Sequence, residues 1–125
     1  MIRSFLIERS SAEMVFVFGS VMRGRQGPES DVDVAVLFEK VPTAHRLQSL
    51  RDDLSGLLGR EVDIVVLNTA SPIVRMQVLK HGTLVHKASE STFTRFFVQT
   101  VNEYYDLKQI RRQCEEEILR GRIYA

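Results

Sequence analysis

The chain has 125 residues, with 17 Lys+Arg against 16 Asp+Glu and a formal net charge of +1. That length suits one domain whose folding buries roughly two-thirds of the unfolded surface, and the balanced charge excludes any bulk attraction to nucleic acid, so no direct nucleic-acid binding is expected. The single cysteine, Cys114, excludes an internal disulfide and a zinc framework; the absence of both an apolar leader region and a run of roughly 20 apolar residues makes a cytoplasmic protein with no membrane partner the expectation.

In chain order, residues 2–12 read as a short helix with Ile2, Phe5 and Leu6 on one side. Met14 to Phe18 (MVFVF) is a continuous β-branched and aromatic run that suits a buried strand. Gly19-Ser20 breaks it, and Val21 to Ser30, containing Gly24, Gly27 and Pro28, reads as a turn or short helix followed by a loop. Asp31 to Phe38 (DVDVAVLF) is a second strand, with the valines and Phe38 on one face and Asp31, Asp33, Ala35 and Leu37 on the other.

From Thr43 the period changes. Leu47, Leu50, Leu54, Leu57 and Leu58 recur at helical spacing, and Gly59 stands where a helix end favours a left-handed residue. Glu61 to Leu67 (EVDIVVL) is a third strand, with Asp63 on the face opposite Val62, Ile64 and Val66. Ser71-Pro72 has the form of an N-cap followed by proline at the first helical position, opening a helix that Gly82 can end. Thr83 to Lys87 is a fourth strand, and residues from about 91 to 121 form a long helix whose apolar positions include Phe93, Phe97, Val101, Tyr104, Leu107, Ile110, Cys114 and Ile118. Helices alternating with strands imply an α/β arrangement around one sheet.

The chemistry concentrates in Phe18 to Val36. Alternate residues of a strand share a face roughly 7 Å apart, so Asp31 and Asp33 present their carboxylates side by side. Unpaired, they would repel and pay desolvation. A divalent cation removes both penalties, and carboxylate oxygens are the hard ligands that Mg²⁺ prefers. If its strand lies beside the second, Asp63 adds a third acid; three acids can bridge two metals about 4 Å apart, the arrangement used for in-line phosphoryl or nucleotidyl transfer. The third acid is also placed to accept a proton from an attacking hydroxyl. Gly19 permits close backbone approach to a phosphate, the Ser20 hydroxyl can hold its oxygens, and Arg23 and Arg25 are phosphate partners. His45, His81 and His86 lack metal-ligand spacing to one another.

Gly19-Ser20, the ten residues Val21 to Ser30, and Asp31-Val32-Asp33 together resemble the signature of the polymerase β-like nucleotidyltransferase superfamily. Arg23-Gly24 and Ser30 resemble its flanking positions, and Asp63 is the candidate for its later acid. The small size, the HGTLVH segment after a proline-initiated helix and the long final helix are similar to its minimal nucleotidyltransferase (MNT) branch.

The resemblance implies a two-layer α+β fold, with a mixed sheet of about four strands, helices packed on one face and a long C-terminal helix. It implies a single domain over residues 1–125, with a core at about 1–88. The implied activity is transfer of AMP from ATP, with Mg²⁺ (two ions), to a tyrosine of a HEPN ribonuclease toxin for which the chain is the antitoxin and hetero-oligomeric partner. In that scheme Gly19, Ser20, Arg23, Arg25 and Ser30 serve the nucleotide, Asp31 and Asp33 hold metal, and Asp63 completes the metal site and acts as base. Two other functions fit the sequence: a non-catalytic antitoxin that masks its toxin through the long helix, and a nucleotidyltransferase acting on a small hydroxylated molecule.

Overall fold

The computed structural model describes residues 2–18 and 31–121. Within them, α1 (Ile2–Arg9), β1 (Ala12–Phe18), β2 (Val32–Phe38), α2 (Ala44–Leu58), β3 (Val62–Val66), α3 (Pro72–His81), β4 (Thr83–Lys87) and α4 (Glu90–Leu119) follow one another. The strands form one mixed sheet in the order β3-β2-β1-β4, with β1 antiparallel to both β2 and β4 and β2 parallel to β3. The expected four-stranded mixed sheet with a long final helix is therefore observed.

The helices do not share a face, which corrects one detail of the expectation. Leu6 of α1 and Leu54 of α2 pack with Val15, Val32, Val34, Val36, Phe38 and Val62 on one side of the sheet. Val78 of α3 and Phe96 of α4 pack with Met14, Phe16, Ala35 and Leu67 on the other. The physical reason lies in β1 and β2, which are apolar at consecutive positions. Val15, Phe16, Val34, Ala35 and Val36 are all nearly inaccessible to solvent. A strand buried on both faces demands cover on both.

The helix boundaries follow local chemistry. Thr43 caps α2 by accepting from the Arg46 N–H, and Gly59 ends it in the left-handed conformation at φ 68°. Ser71 caps α3, Pro72 occupies its first turn, and Ser89 caps α4. Gly82 ends α3 for a different reason from Gly59. Its φ is −81°, but a Cβ there would lie 2.6 Å from the Val78 carbonyl oxygen. The helix end and Phe16 of β1 leave no room for a side chain.

Side-chain hydrogen bonds tie the elements together. Asn68 donates to the Phe38 carbonyl and accepts from its N–H, at 2.8 and 2.9 Å. Arg75 donates to the carbonyls of Leu67 and Asn68 and pairs with Glu103 at 3.0 Å, linking α3 to the end of β3 and to α4.

The long helix packs on a face slightly rotated from the one its apolar spacing suggests. Thr92, Phe96 and Thr100 are the buried positions, whereas Phe97 and Ile110 are 46% and 57% exposed. Two threonines hold core positions, so hydrophobicity alone misplaces the seam. From Lys108 to Gly121 every residue is exposed. The final three turns of a helix about 45 Å long are therefore open to solvent.

Gly82→Ala is expected to lower unfolding stability by about 1–3 kcal/mol through this clash. Gly56→Ala, at a helical position with nothing within 4 Å of the added carbon, is expected to raise it by about 0.5–1 kcal/mol. Urea unfolding of the two variants checks both signs.

Candidate nucleotidyl-transfer site

The parallel pairing of β2 with β3 determines where the acids stand. Asp33 and Asp63 are register partners, flanked by the pairs Val32–Val62 and Val34–Ile64. Register partners on neighbouring strands share a face at a separation of about 4.8 Å between strands. Asp31 precedes Asp33 by two positions and leads into the strand on the same side. The sheet therefore sets Asp33 level with Asp63 on adjoining strands, with Asp31 two positions before Asp33.

The same face carries Ala35 and Leu37 on β2 and Val65 and Leu67 on β3, which lie in the core beneath α3 and α4. Asp33 is half-buried, while Asp31 and Asp63 are exposed. The carboxylates thus occupy the strand ends just outside the apolar core, where water or a ligand can reach them. Phe18, the last described residue before Gly19, is the register partner of Asp33 on β1.

α2 supplies the outer wall. The depression beside the acids is lined by Asp31, Asp52, Glu61 and Asp63 together with Gln48, Arg51 and Ser55. Arg51 is the one basic side chain among the described residues that line it. Its Nη1 donates to Asp63 Oδ1 at 3.2 Å, and its Nη2 donates to Gln48 Oε1. Gln48 in turn donates to Asp52 at 3.0 Å. The Ser55 hydroxyl accepts from the Val62 N–H at 3.0 Å, and the Val32 N–H donates to the Glu61 carbonyl at the same distance. These bonds seat β3 against both α2 and β2 immediately before Asp63.

Gln48, Arg51, Asp52 and Ser55 were not singled out as site residues from the sequence. A signal was available in their spacing. They stand at positions i, i+3, i+4 and i+7, a polar stripe on a helix that buries Leu50 and Leu54. Among the expected site residues, Gly19, Ser20, Arg23, Arg25 and Ser30 lie outside the described residues.

The donor set suits an oxygen-liganded divalent cation, being three carboxylates on one face with two in direct register. Among the described residues, however, no three acidic, histidine or cysteine side chains are gathered closely enough to hold a metal. The Asp63 carboxylate is engaged by Arg51.

A mixed sheet that presents paired acids at the end of β2 and a partner acid on the adjoining parallel strand is the framework of a nucleotidyltransferase. Residues 1–91 match the family described as Polymerase beta, Nucleotidyltransferase, and the chain belongs to that family.

Particular relatives narrow the likeness. The chain is similar to the protein adenylyltransferase MntA of Thermococcus cleftensis, at 36% identity over 64% of this chain and 81% of that protein. It also resembles a chain in the crystal structure of a toxin–antitoxin with AMP-PNP, with 26% identity, a TM-score of 0.81 and coverage of 94% of this chain and 95% of that one. A further neighbour is found in the tri-AMPylated Shewanella oneidensis HEPN toxin in complex with MNT antitoxin. There the identity is 24%, the TM-score 0.76 and the coverage 94% and 92%, a likeness of fold. Among the described residues no helix is long and apolar enough to cross a membrane.

Ser55→Ala removes the acceptor of the part-buried Val62 N–H. A loss of about 1–2 kcal/mol is expected, and amide hydrogen exchange at Val62 and Asp63 should accelerate. Exchange rates measured residue by residue by NMR check it.

Proposed function

We propose that the chain is an ATP-dependent protein adenylyltransferase that acts as the antitoxin of a HEPN-type toxin, transferring AMP to a tyrosine of that partner. The observation that carries this reading is the register pairing of Asp33 with Asp63 beside Asp31. The likeness to MntA of Thermococcus cleftensis supports the activity. The neighbours solved with AMP-PNP and with an AMPylated HEPN toxin suggest the nucleotide and the partner.

In this reading Asp31, Asp33 and Asp63 are the metal ligands, and bound Mg²⁺ supplies charge neutralisation at the triphosphate. The Ser20 hydroxyl and the Gly19 backbone hold phosphate oxygens, with Arg23, Arg25 and Ser30 around them. The tyrosine hydroxyl oxygen forms a bond to the α-phosphorus, and the bond from that phosphorus to the oxygen bridging toward the β-phosphate breaks. Pyrophosphate departs, and the hydroxyl proton passes to the carboxylate of Asp63. Asp33 is the better-shielded acid of the pair, being half-buried where Asp31 is exposed. Its charge is correspondingly less screened by water.

We read residues 1–125 as one domain. The family match ends at residue 91, where α4 begins, and Phe96 of α4 packs in the same core as β1 and β2. α4 is therefore the fourth helix of that unit.

The exposed final turns of α4 favour a second reading, in which the chain silences its partner by binding alone. Incubation of the chain with ATP, Mg²⁺ and the product of its neighbouring gene distinguishes the two. Intact-mass spectrometry is expected to show adenylyl groups added to the partner, and Asp33→Asn is expected to slow the addition by about a hundredfold or more. Neutralisation that survives Asp31→Asn with Asp33→Asn, yet is lost on removal of residues 108–125, would establish masking instead.

A further inference from the structure

We propose that Arg51 is a positioning residue that holds the Asp63 carboxylate away from the metal-binding pair until a divalent cation displaces it. This rests on the nucleotidyltransferase reading of the site. Asp33 and Asp63 share a face and a register position, which brings their backbones as close as neighbouring strands come. Their side chains nevertheless do not form part of a three-ligand cluster among the described residues. The Asp63 carboxylate is instead taken by the Arg51 guanidinium, whose Nη1 donates to Oδ1 at 3.2 Å.

Arg51 is itself braced. Its second terminal nitrogen donates to Gln48, and Gln48 donates to Asp52, so the fork is held by its own helix while it reaches β3. From there the guanidinium offsets the charge of Asp63.

The pair is also weak enough to yield. Arg51 and Asp63 are 39% and 67% exposed. Water screens such a pair, and exposed ion pairs contribute little net stability. A divalent cation attracted by Asp31, Asp33 and Asp63 together has the stronger claim on the carboxylate. Asp63 then turns from a guanidinium partner into a metal ligand with no change in the sheet. Arg51 thereby makes metal loading competitive, restraining it in the protein alone.

Mn²⁺ binding to the nucleotide-free full chain, followed by electron paramagnetic resonance, tests this. Arg51→Gln is expected to bind Mn²⁺ roughly three- to fivefold more tightly than the wild type. The gain should vanish when Asp63→Asn is also present. Arg51→Gln with unchanged or weakened Mn²⁺ affinity overturns the proposal, as does a gain that persists in the Asp63→Asn background, since that would be a general charge effect. Absence of Mn²⁺ binding in every variant overturns it as well. Adenylyl transfer by the wild-type chain, measured in parallel, separates this failure from that of the underlying function. Transfer that persists while Arg51→Gln leaves Mn²⁺ affinity unchanged removes the positioning role alone, whereas absent transfer removes the reading beneath it.

Discussion

The parallel pairing of β2 with β3 is the constraint on which the site depends. Side chains alternate across a strand, so a shift of one residue would carry Asp63 to the face occupied by α1 and α2 and leave Asp33 with an apolar neighbour. Apolar burial opposes that shift. Val62 is almost fully buried with Val32 and Leu54, and Leu67 is fully buried on the opposite side. Backbone bonds from Val32 to Glu61 and from Leu67 to Val36 close the two ends of the ladder. The acids meet because the valines around them must.

The crossover helix contributes more than a connection. α2 buries Leu50 and Leu54, and the polar stripe next to those leucines reaches the edge of β3. Ser55 holds the start of the strand through Val62, and Arg51 holds its acid. The helix that covers one face of the sheet thus also fixes the charge balance at the end of the other. Both effects follow from i, i+3 and i, i+4 spacing on a single helix.

α4 divides into two physical regimes. Its first half is stabilised by tertiary packing through Thr92, Phe96 and Thr100, and Arg75 ties it to α3 through Glu103. Its last turns extend beyond the core with Ile110 and Ile118 exposed to solvent. Helix that lacks tertiary cover is of marginal stability in water. These turns gain stability from continuity with the packed half, and they supply accessible surface to a molecule whose sheet is covered on both faces.

Much of this was legible from residues alone. The eight elements, the cap at Ser71, the left-handed Gly59 and the pairing of acids within an apolar strand all follow from local rules, because each depends on a few consecutive residues. The nucleotidyltransferase class was legible for the same reason, as the spacing from Gly19-Ser20 to Asp31 and Asp33 is local. Long-range geometry decided the rest. Only the strand order shows that Asp63 lies level with Asp33, and only the packing of consecutive apolar residues in β1 and β2 shows that helices cover both faces. Arg51 belongs to the site through an edge that the chain reaches after turning from helix into strand. Pairing and burial couple residues far apart in sequence, and no short window of residues contains that coupling.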